Sequence, residues 1–492
     1  MSTSDRPNIL LIMSDQHSPH ILGAYGNDIV RTPNLDTLAR NGVRFDNVYC
    51  PSPLCVPSRM SFLTARTPTA NRVWTNHHML PSDIPTFAHA LGAADYETAL
   101  IGRMHFVGPD QRHGFEKRPL GSYFATPYPG APGFGAPLFG KISPGTSGQG
   151  RMSVEVSGYG RTTYQAFDDL VTYATIAYLD ERANEGDGRP FAAVAGFVLP
   201  HCPYFAPKDL FDYYSERIEL PRFTEEEREN EPEYVRLVRE KRRFVDPVPE
   251  ERIRIALASY YGLIEYMDRN IGRIIDALDT SGLRENTLVI YTSDHGDQVG
   301  EHGLWSKSTY YEASVRVPLI ASMPGMSGRE AMSDIVCNLY DIGPTLIDFA
   351  GTETLPDTIG RSFKPALTGD AVPDWSNETY SEHLDGGDVI MPSRMIRRGP
   401  WKYATYHGTA PTLFNVDEDP DELRNLAGDP AHHAVESELS ERVAEGWNPD
   451  RILSENERAM RSMRALTNWG RAVHPRHPDV IDVPDVEDLT IL

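Results

Sequence analysis

The apolar runs of this chain are short, almost uninterrupted and separated by helix-length amphipathic segments, and few architectures accept that pattern. Phe191–Val198 reads FAAVAGFV, with no polar residue on either face of an extended chain. A strand of that kind has to be covered on both sides. Asn8–Met13 (NILLIM) and Thr287–Ile290 (TLVI) read the same way. Between them, Ala166–Arg182 carries Phe167, Leu170, Ala174, Ala177 and Tyr178 at helical spacing, and Glu251–Asp279 carries Ile264, Met267, Ile271, Ile274, Ile275 and Leu278. Both stripes read as core packing. Strands alternating with helices predict an α/β fold, a large, mostly parallel sheet sandwiched by helices. Chemistry in such sheets gathers at the carboxyl ends of strands, where Asp15, Asp294 and His295 fall.

Local signals fill in the rest. Thr32–Asn41 predicts a helix with Thr32 as N-cap and Pro33 at its first position. Val43–Tyr49 and Glu97–Ile101 read as strands, Ser58–Ala65 and Asp83–Leu91 as helices. Residues 121–150 are rich in Gly and Pro with interleaved aromatics (Tyr123, Phe124, Tyr128, Phe134, Phe139). This is a lid or binding loop, or else a surface excursion or subunit contact. The densely charged stretch 224–250 reads as a solvated helical insertion. Met395–Arg397, Lys402–Tyr406 and Thr412–Asn415 predict a small antiparallel sheet, and Ala434–Glu445 and Leu453–Leu466 predict two helices of an arm that docks on a neighbouring subunit or packs back on its own. The expected division is a first α/β domain over 1–365, a small α+β subdomain over 366–430 and a helical arm over 431–492, a size that single-core limits of roughly 250–300 residues favour splitting.

Composition excludes more than it selects. The net charge of −23 argues against nucleic acid or anionic membrane partners, and an anionic small-molecule substrate would need a local positive pocket. Four cysteines (Cys50, Cys55, Cys202, Cys337) in 492 residues do not make a disulfide scaffold, and the Cys50–Cys55 spacing is not that of a thioredoxin-type redox pair. No apolar run reaches the roughly 18 residues of a membrane span. The amino terminus lacks a basic leader, so its apolar run reads as a buried strand and the expected location is cytoplasmic.

One motif narrows the function. Cys55-Val56-Pro57-Ser58-Arg59 opens the run CVPSRMSFLTAR. Read alone, Cys55 is a buried thiol. With its flanks, the run resembles the signature of the formylglycine-dependent sulfatases of the alkaline phosphatase superfamily. The resemblance implies that Cys55 is oxidised by a formylglycine-generating enzyme that reads Pro57 and Arg59, and that the hydrated aldehyde is the nucleophile. A helix beginning near Ser58 would aim backbone N–H groups at an anion beside residue 55.

The same resemblance assigns the remaining roles. Asp15-Gln16 and Asp294-His295 match the family's two metal-binding pairs, with Gln16 where most members have Asp; these two pairs are closer to the phosphonate monoester hydrolase branch than to lysosomal arylsulfatases. With residue 55 they would hold one divalent ion, Ca²⁺ first, with Mn²⁺ admitted by the histidine. Arg59 would hold the hydrated aldehyde and a metal carboxylate. Gly102-Arg103-Met104-His105 replaces the usual lysine with Arg103, which binds sulfate oxygens but cannot donate a proton, and His105 accompanies it. His201 in Pro200-His201-Cys202-Pro203 matches a general acid, Lys307 in Trp305-Ser306-Lys307 a lysine bridging nucleophile and substrate, and Asn76 a substrate-contacting asparagine. Further matches at Thr32–Asp36, Glu301–Gly303, Arg316–Pro318, Gly360–Phe363 and Leu413–Leu426 extend the likeness over roughly 7–430. His77, His78, His113, His302 and His383 keep the bland reading of packing or surface residues.

The expected activity is hydrolysis of small anionic sulfate esters, arylsulfatase-like, with promiscuity toward phosphonate monoesters and phosphodiesters. The alternatives are a phosphonate monoester or phosphodiester hydrolase with the same nucleophile, and a catalytically silent ligand-binding member. Choline-sulfatase-like members carry carboxyl-terminal arms used in oligomers, which implies a homo-oligomer.

Overall fold

β1 (Asn8–Asp15) is buried along almost its whole length, and the large sheet is built outward from it. A computed structural model describes residues 6–122, 127–130, 150–185, 188–326, 331–370, 372, 374–384, 390–481 and 488–492. With β2 (Val43–Tyr49), β3 (Glu97–Gly102), β4 (Lys117–Leu120), β5 (Phe191–Pro200), β6 (Thr287–Ser293), β7 (Leu319–Ser322) and β8 (Ala331–Asn338), β1 forms a sheet of spatial order β8-β2-β7-β6-β1-β5-β3-β4. β1 pairs in parallel with both β5 and β6, and only the short β7 runs against its neighbours.

The pleat explains the continuous apolar runs. Leu10 and Ile12 point into one buried cluster with Ala193, Ala195, Val289 and Tyr291. Ile9, Leu11 and Met13 point into the opposite cluster with Ala192, Val194, Leu288 and Ile290. Successive side chains alternate faces, and both faces are covered, so neither can be polar. The first face is covered by the long helices Thr163–Glu185 and Glu250–Thr280, whose Phe167, Val171, Ile264, Met267, Ile271 and Ile274 are buried there. The second is covered by α2 (Cys55–Thr64), which follows α1 (Pro33–Arg40) and β2 and is buried at every position. Each such apolar side chain contributes about 1.5–3 kcal/mol on burial.

Several local expectations shift. Thr32 precedes α1, but its hydroxyl serves Asp36 and the Gly23 N–H instead of the helix terminus. The helix expected at Ser58 starts at Cys55, and the one expected at Asp83 starts at Phe87. The insertion is helical at Glu225–Glu229 and Glu233–Arg242 but is not simply solvated. Tyr234, Val235, Val238 and Arg239 are buried; Arg239 pairs with Glu231 at 2.8 Å and donates to the carbonyls of His302 and Gly303, and Tyr234 donates to that of Ser308. The insertion thus braces the segment that carries Lys307. Of the aromatics in the 121–150 stretch, Tyr123, Phe124, Phe134 and Phe139 lie outside the described residues, and Tyr128 meets Trp469 edge-on at 5.7 Å.

The small sheet has four consecutive antiparallel strands, Glu378–Leu384, Pro392–Arg398, Trp401–Tyr406 and Thr409–Asn415. Lys402, on its third strand, has its ammonium between Glu312 and Glu422. The carboxyl-terminal arm holds the helices His433–Ala444 and Pro449–Val473. It packs back on its own chain: Ile452 joins Trp74 and Leu384, Asp479 pairs with Arg112, and Asp488–Ile491 pairs with Gly158–Arg161. Among the described residues, no helix is long and apolar enough to cross a membrane.

One buried carboxylate holds the edge of the site. Asp168, on the helix Thr163–Glu185, accepts the N–H groups of Val198 and Leu199 at 2.8 and 2.9 Å and so clamps the end of β5. Burial pushes its carboxyl up to about 8 against those two hydrogen bonds, and pushes Asp341 up to about 7. Above their unfolded values, near 3.9, these groups bind more protons folded than unfolded, so their stabilisation is lost as pH rises through the folded values. Burial holds His17 and His78 down at about 4, an opposite effect that is complete by about pH 6.5. Stability in the presence of chelator is therefore expected to fall between about pH 6.5 and 8.5. Asp168→Asn leaves one N–H facing an amide NH₂, so it should cost about 1–3 kcal/mol near neutrality and flatten that decline. Urea unfolding across pH is the check; an unchanged slope in the variant would remove Asp168 from the account.

Candidate active site

Cys55 is the first residue of α2, and Leu54 before it offers no side-chain cap. One of the free N–H groups at this end, that of Val56, donates to Asn76 Oδ1 at 2.9 Å. Asn76 therefore sits at the mouth of the helix terminus and is half-buried. The thiol of Cys55 is 2% exposed. Its Sγ lies 3.3 Å from Lys307 Nζ, 3.3 Å from His295 Nε2 and 3.8 Å from Asp15 Oδ1.

Asp15 and Asp294 come from the ends of the adjacent parallel strands β1 and β6, which is why residues so far apart in sequence meet here. Arg59, one turn into α2, bridges them: its Nε reaches Asp294 Oδ2 at 2.8 Å and a terminal nitrogen reaches Asp15 Oδ2 at 3.1 Å, all fully buried. Arg103 Nε adds a contact to the same Asp15 oxygen at 2.6 Å. Burial alone would raise the Asp15 carboxyl, but Arg103, His201, Arg59 and Lys307 together hold it well below the usual range. Each carboxylate thus has one oxygen tied to a guanidinium and the other turned inward.

Those inward atoms make a donor set. One ligand atom each from Asp15, Cys55, Asp294 and His295 lie within 4.8 Å of one another. His295 Nδ1 is 2.9 Å from the Gly296 carbonyl, which makes Nδ1 the donor and leaves the Nε2 lone pair facing the cluster. Burial lowers the His295 pKa, favouring the neutral form a metal needs. Gln16 Oε1 accepts from Lys307 Nζ at 2.7 Å at the edge of the same group. Two carboxylate oxygens, an amide oxygen and an imidazole suit a hard divalent cation such as Ca²⁺ or Mn²⁺.

The cationic groups surround this set. Arg103 follows β3, where Gly102 (φ +88°) and Gly196 let two strands close together; a Cβ on Gly196 would lie 1.9 Å from the Arg103 carbonyl oxygen. Arg103 also donates to His105 Nδ1 at 3.0 Å. Burial and Arg103 hold His105 well below its ordinary pKa, so it is a neutral imidazole. His201 lies at the end of β5 with Nδ1 2.6 Å from the Cys202 carbonyl, leaving Nε2 for other work. Three cationic side chains (Arg59, Arg103, Lys307) against two carboxylates in contact with them answer the need for a local positive pocket in a chain of net charge −23.

All eleven residues singled out in the sequence belong to this neighbourhood, with Asn76 and His201 at its rim. Other residues were missed. Asp297 is fully buried and accepts from Gln16 Nε2 at 2.8 Å and Tyr204 OH at 3.0 Å; burial pushes its carboxyl up to about 7. Its position three residues after Asp294 is the only signal it leaves in the sequence, and a turn aspartate leaves the same one. Of the histidines set aside, His78 pairs with Thr75, and His302 stacks on Tyr311 at 3.7 Å.

Comparison with known proteins agrees with this geometry. Residues 7–352 match the family described as Sulfatase, and residues 300–448 match N-sulphoglucosamine sulphohydrolase, C-terminal. The chain belongs to the sulfatase family. The choline-sulfatase of Rhizobium meliloti is 35% identical over 439 residues, 87% of this chain and 84% of that protein. An arylsulfatase of Clostridium perfringens is 30% identical over 464 residues, 86% and 90% of the two chains. Among solved structures, the phosphonate monoester hydrolase of Silicibacter pomeroyi has a TM-score of 0.73 at 25% identity, covering 90% of this chain and 95% of its own. The sulfatase is accordingly a hydrolase of sulfuric ester bonds.

The bridging arginine generates a test. Arg59→Ala removes the charge that two buried carboxylates share and should destabilise the chelator-treated protein by about 3–5 kcal/mol. Excess Ca²⁺ should return part of that loss. A loss under about 1 kcal/mol, typical of exposed pairs, would mean the pair is solvated.

Proposed function

We propose that this sulfatase cleaves small sulfate monoesters through a formylglycine made from Cys55, working beside one divalent cation. The observation that carries the reading is the position of Cys55 Sγ: 3.3 Å from both Lys307 Nζ and His295 Nε2, at the amino terminus of a helix. A structural thiol has no use for a lysine, two carboxylates and an imidazole in a dry pocket. A cation held by Asp15, Gln16, Asp294 and His295 would supply Lewis-acid charge to the sulfuryl oxygens.

The chain's own residues do the rest. A formylglycine-generating enzyme converts Cys55, an external oxidant taking up two electrons and the sulfur leaving as sulfide, and water adds to the aldehyde to give two geminal hydroxyls. Arg59 pairs with both Asp15 and Asp294, and with Arg103, His201 and Lys307 it keeps Asp15 ionised. Lys307, Arg103 and His105 receive the sulfuryl oxygens, charge stabilisation that grows as the leaving bond stretches. One hydroxyl attacks sulfur, losing its proton to Asp294, whose ligand oxygen is within 4.8 Å of Sγ. His201 protonates the leaving oxygen as the sulfur–oxygen bond breaks. The second hydroxyl then gives its proton to His201, left neutral by the first step, and collapse to the aldehyde breaks the carbon–oxygen bond and expels sulfate, an exit closed to a serine ester.

A second reading is favoured by specific observations. The Asp15-Gln16 and Asp294-His295 pairs, together with the likeness to the Silicibacter pomeroyi enzyme, suit hydrolysis of phosphonate monoesters and phosphodiesters by the same nucleophile. Turnover of aryl sulfate and phenyl phosphonate monoesters compares the two. The expected result is a higher kcat/KM for sulfate with measurable phosphonate turnover; a much higher value for phosphonate reverses the order.

Variants test the roles. Cys55→Ala should leave less than about one percent of the parent rate with the fold intact. Lys307→Ala and His201→Ala should each lose about two or more orders of magnitude in kcat. Parent-like rates in both would assign the chemistry to other residues. No turnover of any ester by the parent, with Cys55 converted, would favour a silent ligand-binding protein.

A further inference from the structure

The pair Asp15-Gln16 raises a problem that a second aspartate would not. A carboxylate offers oxygen whichever way it turns, whereas an amide offers oxygen at one end and N–H at the other. Only one orientation of Gln16 can serve a cation. The backbone does not decide it: Gln16 has φ +69°, its N–H donates to Asp294 Oδ1 at 3.1 Å and its carbonyl accepts from Tyr260 OH at 2.8 Å. The side chain has two neighbours of opposite kind. Lys307 Nζ, which can only donate, stands 2.7 Å from Oε1. Asp297 Oδ2 stands 2.8 Å from Nε2 and also accepts from Tyr204 OH. Asp297 Oδ1 meets no hydrogen-bond donor among the described residues, so one oxygen of this fully buried carboxyl carries both contacts.

We propose that Asp297 is a positioning residue: by accepting the Gln16 amide N–H it turns Gln16 Oε1 toward Lys307 and the cation site. The relay runs from Asp297 through Gln16 and Lys307 to Cys55, with contacts of 2.8, 2.7 and 3.3 Å. Without the acceptor at 297 the amide is free to rotate, and its NH₂ end would face an ammonium and a cation. Partners that orient metal ligands in this way typically change metal affinity by about 10–100-fold. The inference rests on the cation site proposed above but not on which ester is cleaved.

The test is a double-mutant cycle read by calorimetric titration of Ca²⁺ into the full-length, chelator-stripped protein. In the Gln16 protein, Asp297→Ala should weaken Ca²⁺ binding by about tenfold or more. In a Gln16→Ala background the same change should alter it less than about twofold, because the group it acts through is gone. A residue that only supports the fold would act equally in both backgrounds, and equal effects overturn the proposal. Asp297→Asn keeps a carbonyl oxygen where Oδ2 lies and puts its NH₂ where no donor stands, so it serves if the alanine variant does not fold. It should bind Ca²⁺ within about threefold of the parent, and a tenfold loss would show that charge rather than orientation matters. Tyr204→Phe, which leaves the Gln16 contact in place, should also stay within about threefold; a loss as large as that of Asp297→Ala contradicts the relay. A parent protein that binds no Ca²⁺ and turns over no ester sinks the cation-dependent reading together with this inference. One that binds Ca²⁺ without coupling between 16 and 297 sinks this inference alone.

Discussion

A single guanidinium in a dry interior organises the catalytic half of this protein. Arg59 leaves the first turn of the Cys55 helix and spans the carboxylates at the ends of two adjacent parallel strands. Without that charge, Asp15 and Asp294 would repel each other in a medium where screening is weak. With it, one oxygen of each is spent on the arginine and the other is left facing Cys55 and His295. The same contact anchors the helix terminus against the sheet, so nucleophile and acidic pairs are aligned by one interaction. A buried ion pair of this kind is a poor source of stability; its worth here is geometric.

The charge pattern carries the same logic outward. The chain as a whole is strongly acidic, yet the groups converging on Cys55 include two arginines and a lysine. Anions are therefore not gathered by the general field of the protein and must be recognised at close range. Gln16 in place of a carboxylate lowers the negative charge at the centre further. It also introduces an orientation problem, and Asp297 lies where it solves it. The insertion around 224–250 contributes from outside: its buried Arg239 and Tyr234 bind carbonyls on either side of Lys307.

Much of this was legible in the sequence, for physical reasons specific to each element. Phe191–Pro200 was readable because a strand covered on both faces can carry no polar residue in its middle, and Glu250–Thr280 because its buried stripe repeats at helical spacing for many turns. Cys55, Arg59 and the two acidic pairs were readable because their chemistry demands rare residue types in fixed order. The start of the Cys55 helix was not, since Leu54 gives no capping signal and the terminus is served by Asn76 from a distant loop. The strand Glu378–Leu384 reads ETYSEHL and was missed because its buried Ser381, Glu382 and His383 are polar. Tyr234, Val235 and Val238 were hidden among charges. Asp297 was invisible because its meaning lies in a residue far upstream that folding brings to it.

The mechanism depends on the chemical state of residue 55, and the tryptic peptide Phe45–Arg59 reports it with an internal control. That peptide contains two cysteines, Cys50 and Cys55, and only the second lies beside the acidic pairs. In ester-hydrolysing protein made alongside a formylglycine-generating enzyme, mass spectrometry after thiol alkylation should find one alkylated cysteine, at 50, and a carbonyl at 55 that captures a hydrazine probe. Two alkylated thiols in a preparation that hydrolyses its ester at full rate would contradict the mechanism outright.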